Sequence, residues 1–107
     1  MKKGALLKGA TSDLNEVLTL LRALQPAIRA QFRAEIIGVF GSFARGEQTA
    51  ASDLDVLVRF QEGASLFDLV ALGDYLESVL GRKVDILSER AIRPEIKEKI
   101  LTDLVLL

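Results

Sequence analysis

The sequence predicts a small α/β domain over residues 1–107, and three observations carry that prediction. Apolar residues recur at helical spacing in two separated stretches, three short apolar runs have the length of strands, and glycine or proline stands at the junctions. The predicted order is helix, strand, strand, helix, strand, helix. A chain of 107 residues is expected to form one domain with one core, with little material for a second, acceptor-binding domain.

The first helix is expected to start near Thr11 to Asp13, where Asp13 and Glu16 have capping-box spacing and Leu14, Val17, Leu18, Leu21 and Leu24 trace an apolar stripe. Pro26 lacks a backbone donor, so it either kinks this helix or begins a second segment running to about Arg33. Ile36 to Phe40 reads as a short strand, followed at once by Gly41-Ser42 and a polar stretch, and Leu54 to Phe60 reads as a second strand. Ser65 and Asp68 form another capping box, opening a helix whose apolar positions include Leu66, Leu69, Val70, Leu76, Val79 and Leu80 and which Gly81 ends. Lys83 to Leu87 is the third strand, and Pro94 falls in the first turn of a final helix.

Composition narrows the chemistry. The chain has no cysteine and no histidine. That removes disulfides, the usual nitrogen and sulfur zinc sites, Ser-His-Asp triads and any imidazole base. A metal would have to sit on oxygen ligands, which favours Mg²⁺ or Mn²⁺. A net charge of -1 argues against general nucleic-acid binding, because affinity for the phosphate backbone needs a concentrated basic surface. The N-terminal Lys2 and Lys3 precede Ala5-Leu6-Leu7, but Lys8 interrupts that run short of a signal-peptide core, and no stretch has the length of a membrane span. A cytoplasmic protein is expected. Hydrophobic residues make up 50% of the sequence, high for a body with so little interior, so some apolar surface is expected against another chain, a partner or a second copy.

The chemically suggestive residues concentrate between Gly41 and Asp55. A glycine directly after a buried strand, with Ser42 next and helix-forming Ala44 and Arg45 beyond, gives a turn whose exposed N–H groups favour phosphate; the plain alternative is an ordinary turn. It is not a Walker A loop, since Glu47 and Gln48 stand where Lys and Ser or Thr belong. Asp53 and Asp55, two apart on a strand, project to one side while Leu54, Val56 and Val58 take the other. Two acids so close raise one another's pKa, a conflict that a divalent cation resolves. Alternatively Asp53 caps its own turn and Asp55 is solvated on an edge strand. Asp85 fits the same pattern by parity: Val84 and Ile86 share one face, which puts Asp85 on the other, and on the carboxylate side if its strand pairs with that of Asp55. Glu62, Asp68, Asp74 and Glu77 fall in a loop or on a helix and read as solvated acids.

Gly41-Ser42, ten residues, then Asp53-Leu54-Asp55 resembles the signature of the polymerase-beta nucleotidyltransferase superfamily. The fuller strings Gly41 to Gly46 and Ser52 to Val58, with similarity extending to Leu80–Leu87 and the Arg93-Pro94 helix, resemble the minimal nucleotidyltransferases, or MntA-like antitoxins. That resemblance implies a polymerase-beta-like fold: a small mixed sheet with helices packed on one face and an open catalytic face. It implies that Gly41 and Ser42 hold the β- and γ-phosphates of ATP, with Arg45 adding a positive contact. Asp53 and Asp55 would ligate two Mg²⁺ ions, and Asp85 would complete the second metal site and accept the proton. It further implies a HEPN-domain toxin as partner, modified by transfer of AMP.

Three functions compete at this level. The chain is an AMP-transferase acting on a HEPN partner, a non-catalytic module that neutralises its partner by binding, or a transferase for a small-molecule hydroxyl such as an aminoglycoside. The third suffers from the lack of a second domain to build the acceptor pocket. The closing segment, Leu101 and Leu104 to Leu107, either supplies a contact surface or packs back on its own domain.

Overall fold

A computed structural model describes residues 13–107; the lysine-bearing N-terminal stretch and Thr11 lie outside them. The elements in chain order are α1 (Leu14–Phe32), β1 (Ala34–Phe40), α2 (Ser42–Arg45), β2 (Leu54–Phe60), α3 (Leu66–Leu80), β3 (Val84–Ser88), a 3-10 turn (Glu89–Ala91), α4 (Pro94–Asp103) and β4 (Val105–Leu106). The sequence-predicted strands and longer helices are all present. Three short elements join them: the single helical turn α2, the 3-10 turn, and β4, a strand of two residues.

Asp13 caps α1, its carboxylate accepting from the Asn15 N–H at 2.8 Å. The helix then runs through Pro26 as one element, so Pro26 does not begin a second segment. Pro26 and Arg22, whose carbonyl loses its partner, are both exposed, so water can take the vacated acceptor. The capping box of α3 is complete, with Asp68 Oδ2 accepting from the Ser65 N–H at 2.8 Å, and Gly81 closes that helix in the left-handed region at φ 67.

The sheet has the order β3-β2-β1-β4. β1 lies antiparallel to β2 and to β4, and β2 lies parallel to β3, a pairing that requires a crossover, which α3 supplies. One sheet face carries Ala34, Ile36, Val39, Leu54, Val56, Val58 and Val84, packed against Val17, Leu21 and Ile28 of α1 and Leu72, Leu76 and Leu80 of α3. Each of these side chains other than Ala34 contributes about 1.5–3 kcal/mol on burial, and this face is where the fold is held together. A bulge between Ile36 and Gly38 changes the parity of β1, so that Ile36 and Val39 both reach the core while Phe40 turns to the other face opposite Asp55.

The other face is open except where α4 crosses it. Leu57 and Ile100, 2% and 7% exposed, are buried there outside the main core. Gly38 admits β4, because a Cβ at that position would run into the Val105 carbonyl oxygen. Beyond β4 the edge of β1 is covered by Gln25, whose amide donates to the Ile36 carbonyl at 3.0 Å and accepts from its N–H at 2.8 Å. The closing segment thus packs back on its own sheet, the second of the two readings left open for it, although Leu106 remains 64% exposed. The larger exposed apolar surface lies at the start of α3, on Leu66, Phe67 and Val70. No helix among the described residues is long and apolar enough to cross a membrane.

Candidate active site

β1 delivers the chain to Gly41, which takes φ 78 and ψ -151 and caps α2. Only glycine is comfortable there, and a Cβ would run directly into Asp55 Oδ2, so the turn and the carboxylate are in close approach. α2 is anchored by Phe43, which is fully buried, and is stopped by Gly46 in the left-handed region at φ 73. The following loop is folded on itself by the Thr49 N–H donating to Ser52 Oγ at 2.8 Å and by the Ser52 N–H donating to the Thr49 carbonyl at 3.1 Å. It ends at Asp53, one residue ahead of β2.

The parallel register sets Asp55 of β2 directly beside Asp85 of β3. Residues in register on adjacent strands share a face, so the parity expected for Asp85 is the one observed. Asp53, Asp55 and Asp85 line one pocket of about 530 Å³ together with Gly41, Ser42 and Arg45. All six sequence-predicted site residues therefore meet there. The acids reading as solvated, Glu62, Asp68, Asp74 and Glu77, stay out of the pocket; Asp68 serves the α3 cap and Glu77 accepts from the Val84 N–H at 3.1 Å.

Crowding is felt most at Asp55. Partial burial, then the negative charges of Asp85 and Asp53, push its carboxyl up to about 6, against a smaller opposing pull from Arg45. Among the described residues no three acidic side chains are gathered tightly enough to form a finished metal cage. A hard cation such as Mg²⁺ needs only one or two carboxylates and completes its shell with phosphate oxygens and water. Oxygen donors, mutual repulsion and a neighbouring phosphate-sized turn make the residues a fit for such an ion.

Arg45 lines the pocket with its guanidinium engaged by two carboxylates, Glu47 at 2.9 Å and Asp103 at 2.7 Å. Asp103 belongs to α4, which also contributes Ile96, Lys99 and Ile100 to the pocket wall. Sequence reading missed this wall. The positions 96, 99, 100 and 103 do mark one helical face, but which sheet face they cover depends on the path of the chain through the 3-10 turn.

A small mixed sheet presenting acidic side chains beside a strand-to-helix glycine turn is the layout of a nucleotidyltransferase. Residues 16–107 match the nucleotidyltransferase domain family. The protein adenylyltransferase MntA of Thermococcus cleftensis is 38% identical over 96 residues, covering 90% of this chain and 97% of that one. A Methanocaldococcus jannaschii protein provisionally assigned as a protein adenylyltransferase is 52% identical over 67 residues, 63% of this chain and 72% of its own. Among solved structures, one provisionally assigned as a minimal nucleotidyltransferase superposes with TM-score 0.75 at 41% identity, covering 89% of this chain and 96% of that one. A toxin-antitoxin crystal structure with AMP-PNP superposes with TM-score 0.63 at 25% identity, over 86% and 69%. The chain belongs to the nucleotidyltransferase domain family, in its minimal form.

Proposed function

We propose that this protein transfers AMP from ATP to a hydroxyl on a toxin partner, and that it acts in the cytoplasm as the antitoxin of that pair. The observation that carries the reading is the in-register placement of Asp55 beside Asp85, with Asp53 and the Gly41 turn across the same pocket. Held in this way, the carboxylates form a concentrated negative site next to N–H donors, which is the pairing that a metal-bound triphosphate neutralises. Support for the acceptor comes from relatives named as protein adenylyltransferases and from the likeness to a toxin-antitoxin structure. A HEPN-domain toxin is the partner that the sequence resemblance indicates.

Asp53, Asp55 and Asp85 would hold divalent cations, which would supply charge neutralisation at the triphosphate and a lowered pKa for the attacking hydroxyl. The chain's own contribution is positional. Gly41 and Ser42 orient the β- and γ-phosphates through the turn, and Phe43 fixes that turn to the core. Lys99 and Arg45 are the cations lining the pocket, and Arg45 exchanges a carboxylate for a phosphate oxygen when nucleotide enters. In the transfer itself the acceptor oxygen forms a bond to the α-phosphorus, the bond from that phosphorus to the bridging oxygen breaks, and pyrophosphate leaves with the electron pair. Asp85, exposed at the rim of the sheet, takes the proton.

The test pairs Asp53→Asn with Asp85→Asn in a transfer assay using α-labelled ATP, Mg²⁺ and the product of the adjacent gene. Each variant is expected to lose transfer by about a thousandfold or more while still forming the complex. A non-catalytic antitoxin is the competing account: the wild type would leave no label on its partner, and both variants would protect from the toxin as well as the wild type does.

A further inference from the structure

We propose that Arg82 is the positioning residue of the active site, fixing the loop that carries Asp53 against the strand that carries Asp85 and the helix that follows the phosphate turn; this rests on the nucleotidyltransferase reading above. Arg82 lies in the turn between α3 and β3, and at 9% exposure it is the buried charged residue among the described ones. Its Nη1 donates to the carbonyls of Thr49 and Ala50, each at 3.3 Å, and of Ser52 at 2.5 Å. Its guanidinium also stacks on the ring of Phe43, 4.8 Å from the centroid.

These contacts tie together three of the segments that carry site residues. The loop acceptors end one residue before Asp53, Phe43 directly follows Ser42, and Arg82 itself stands three residues ahead of Asp85. Residues 45–47 and 49–51 are exposed, and no strand or long helix includes them. Burying a guanidinium is costly unless its donors are well used. Here they converge on loop carbonyls and an aromatic ring beside the site. A planar guanidinium can lie over a ring while one of its nitrogens donates to the loop, which a single ammonium matches less well.

The experiment compares wild type, Arg82→Met and Arg82→Lys in the full chain. Met keeps an apolar stem on Phe43 and removes all donors, while Lys keeps a point charge. Hydrogen exchange is read over residues 46–53 and over the core strands, and ATP binding is measured by calorimetry at stepped Mg²⁺ concentrations. Arg82→Met is expected to exchange about tenfold or more faster in the loop with the core unchanged. It is also expected to need about tenfold more Mg²⁺ for half-maximal ATP binding, while its ATP affinity at saturating Mg²⁺ stays within about threefold of wild type. Arg82→Lys should fall between the two proteins in both readouts, and it carries the test if Arg82→Met does not melt cooperatively.

Unchanged loop exchange overturns the proposal, whatever the binding data say. Faster exchange with an unaltered Mg²⁺ requirement overturns it as well, because Arg82 would then hold the loop without aligning the carboxylates. A wild-type protein that binds no ATP at any Mg²⁺ concentration defeats the transferase reading and the positioning role together.

Discussion

At the scale of the residue, Asp55 stores a conflict that the fold tolerates for the sake of the site. Its carboxyl holds a proton up to about pH 6 in the folded protein against an ordinary value of 3.8. The folded state therefore binds this proton more tightly than the unfolded chain does. Its contribution to stability is fully present below pH 3.8 and is lost as pH rises through 6. Asp55→Asn, which removes the charge, is expected to raise the stability of the metal-free protein by about 1–2 kcal/mol at pH 7.5, after discounting for solvent screening, with the gain fading toward pH 4. Thermal melts across that range check it. Gly41→Ala meets both a positive φ and Asp55 Oδ2, so it should destabilise by about 1–3 kcal/mol and depress transfer, read by the same melts and the labelling assay. Alternation put Asp53 and Asp55 on one side in the sequence reading, and Asp85 with them on the condition that its strand paired with theirs, as β3 does with β2. Lys99, Asp103 and Arg82 were not legible, because their relation to the site is made by contacts between residues far apart in sequence, such as Arg45 with Asp103.

At the scale of the element, local signals were reliable where they had a local cause. The Ser65 and Asp68 box, the Gly81 stop and Pro94 at the start of α4 are each satisfied by groups a few residues away. Pro26 failed as a breaker because solvent stands in for the bond it removes. β4 was illegible for a different reason: two residues have no periodicity, and their strand character comes from the partner that Gly38 lets approach. Gly38→Val should displace β4 and unpack Val105, lowering the melting temperature by an amount equivalent to about 1–3 kcal/mol while the carboxylate pocket stays able to bind Mg²⁺ and ATP. Calorimetric binding that disappears along with β4 would show instead that the edge strand is part of the site.

At the scale of the whole molecule, the sheet works as a partition. Its helix-covered face carries the main core, and its other face, bounded by α4, carries the candidate site. The bulge in β1 and the parallel pairing of β2 with β3 are the two departures from a simple meander, and both serve that division by placing Phe40, Asp55 and Asp85 on one side. The sequence resemblance anticipated this arrangement, whereas periodicity alone could predict strands but not their order. The apolar excess in the composition is also accounted for in part: Leu66, Phe67 and Val70 stand exposed at the start of α3, on surface that the core does not use.

The proposed reaction of the whole molecule is transfer of a nucleoside monophosphate rather than of a phosphoryl group. The direct measurement is to incubate the protein, its gene-neighbour partner and Mg²⁺ with ATP labelled at the α-position in one reaction and at the γ-position in the other. Label from the α-position should become bound to the partner, while label from the γ-position should leave as pyrophosphate. Label from the γ-position on the partner, or none from either, would contradict the account.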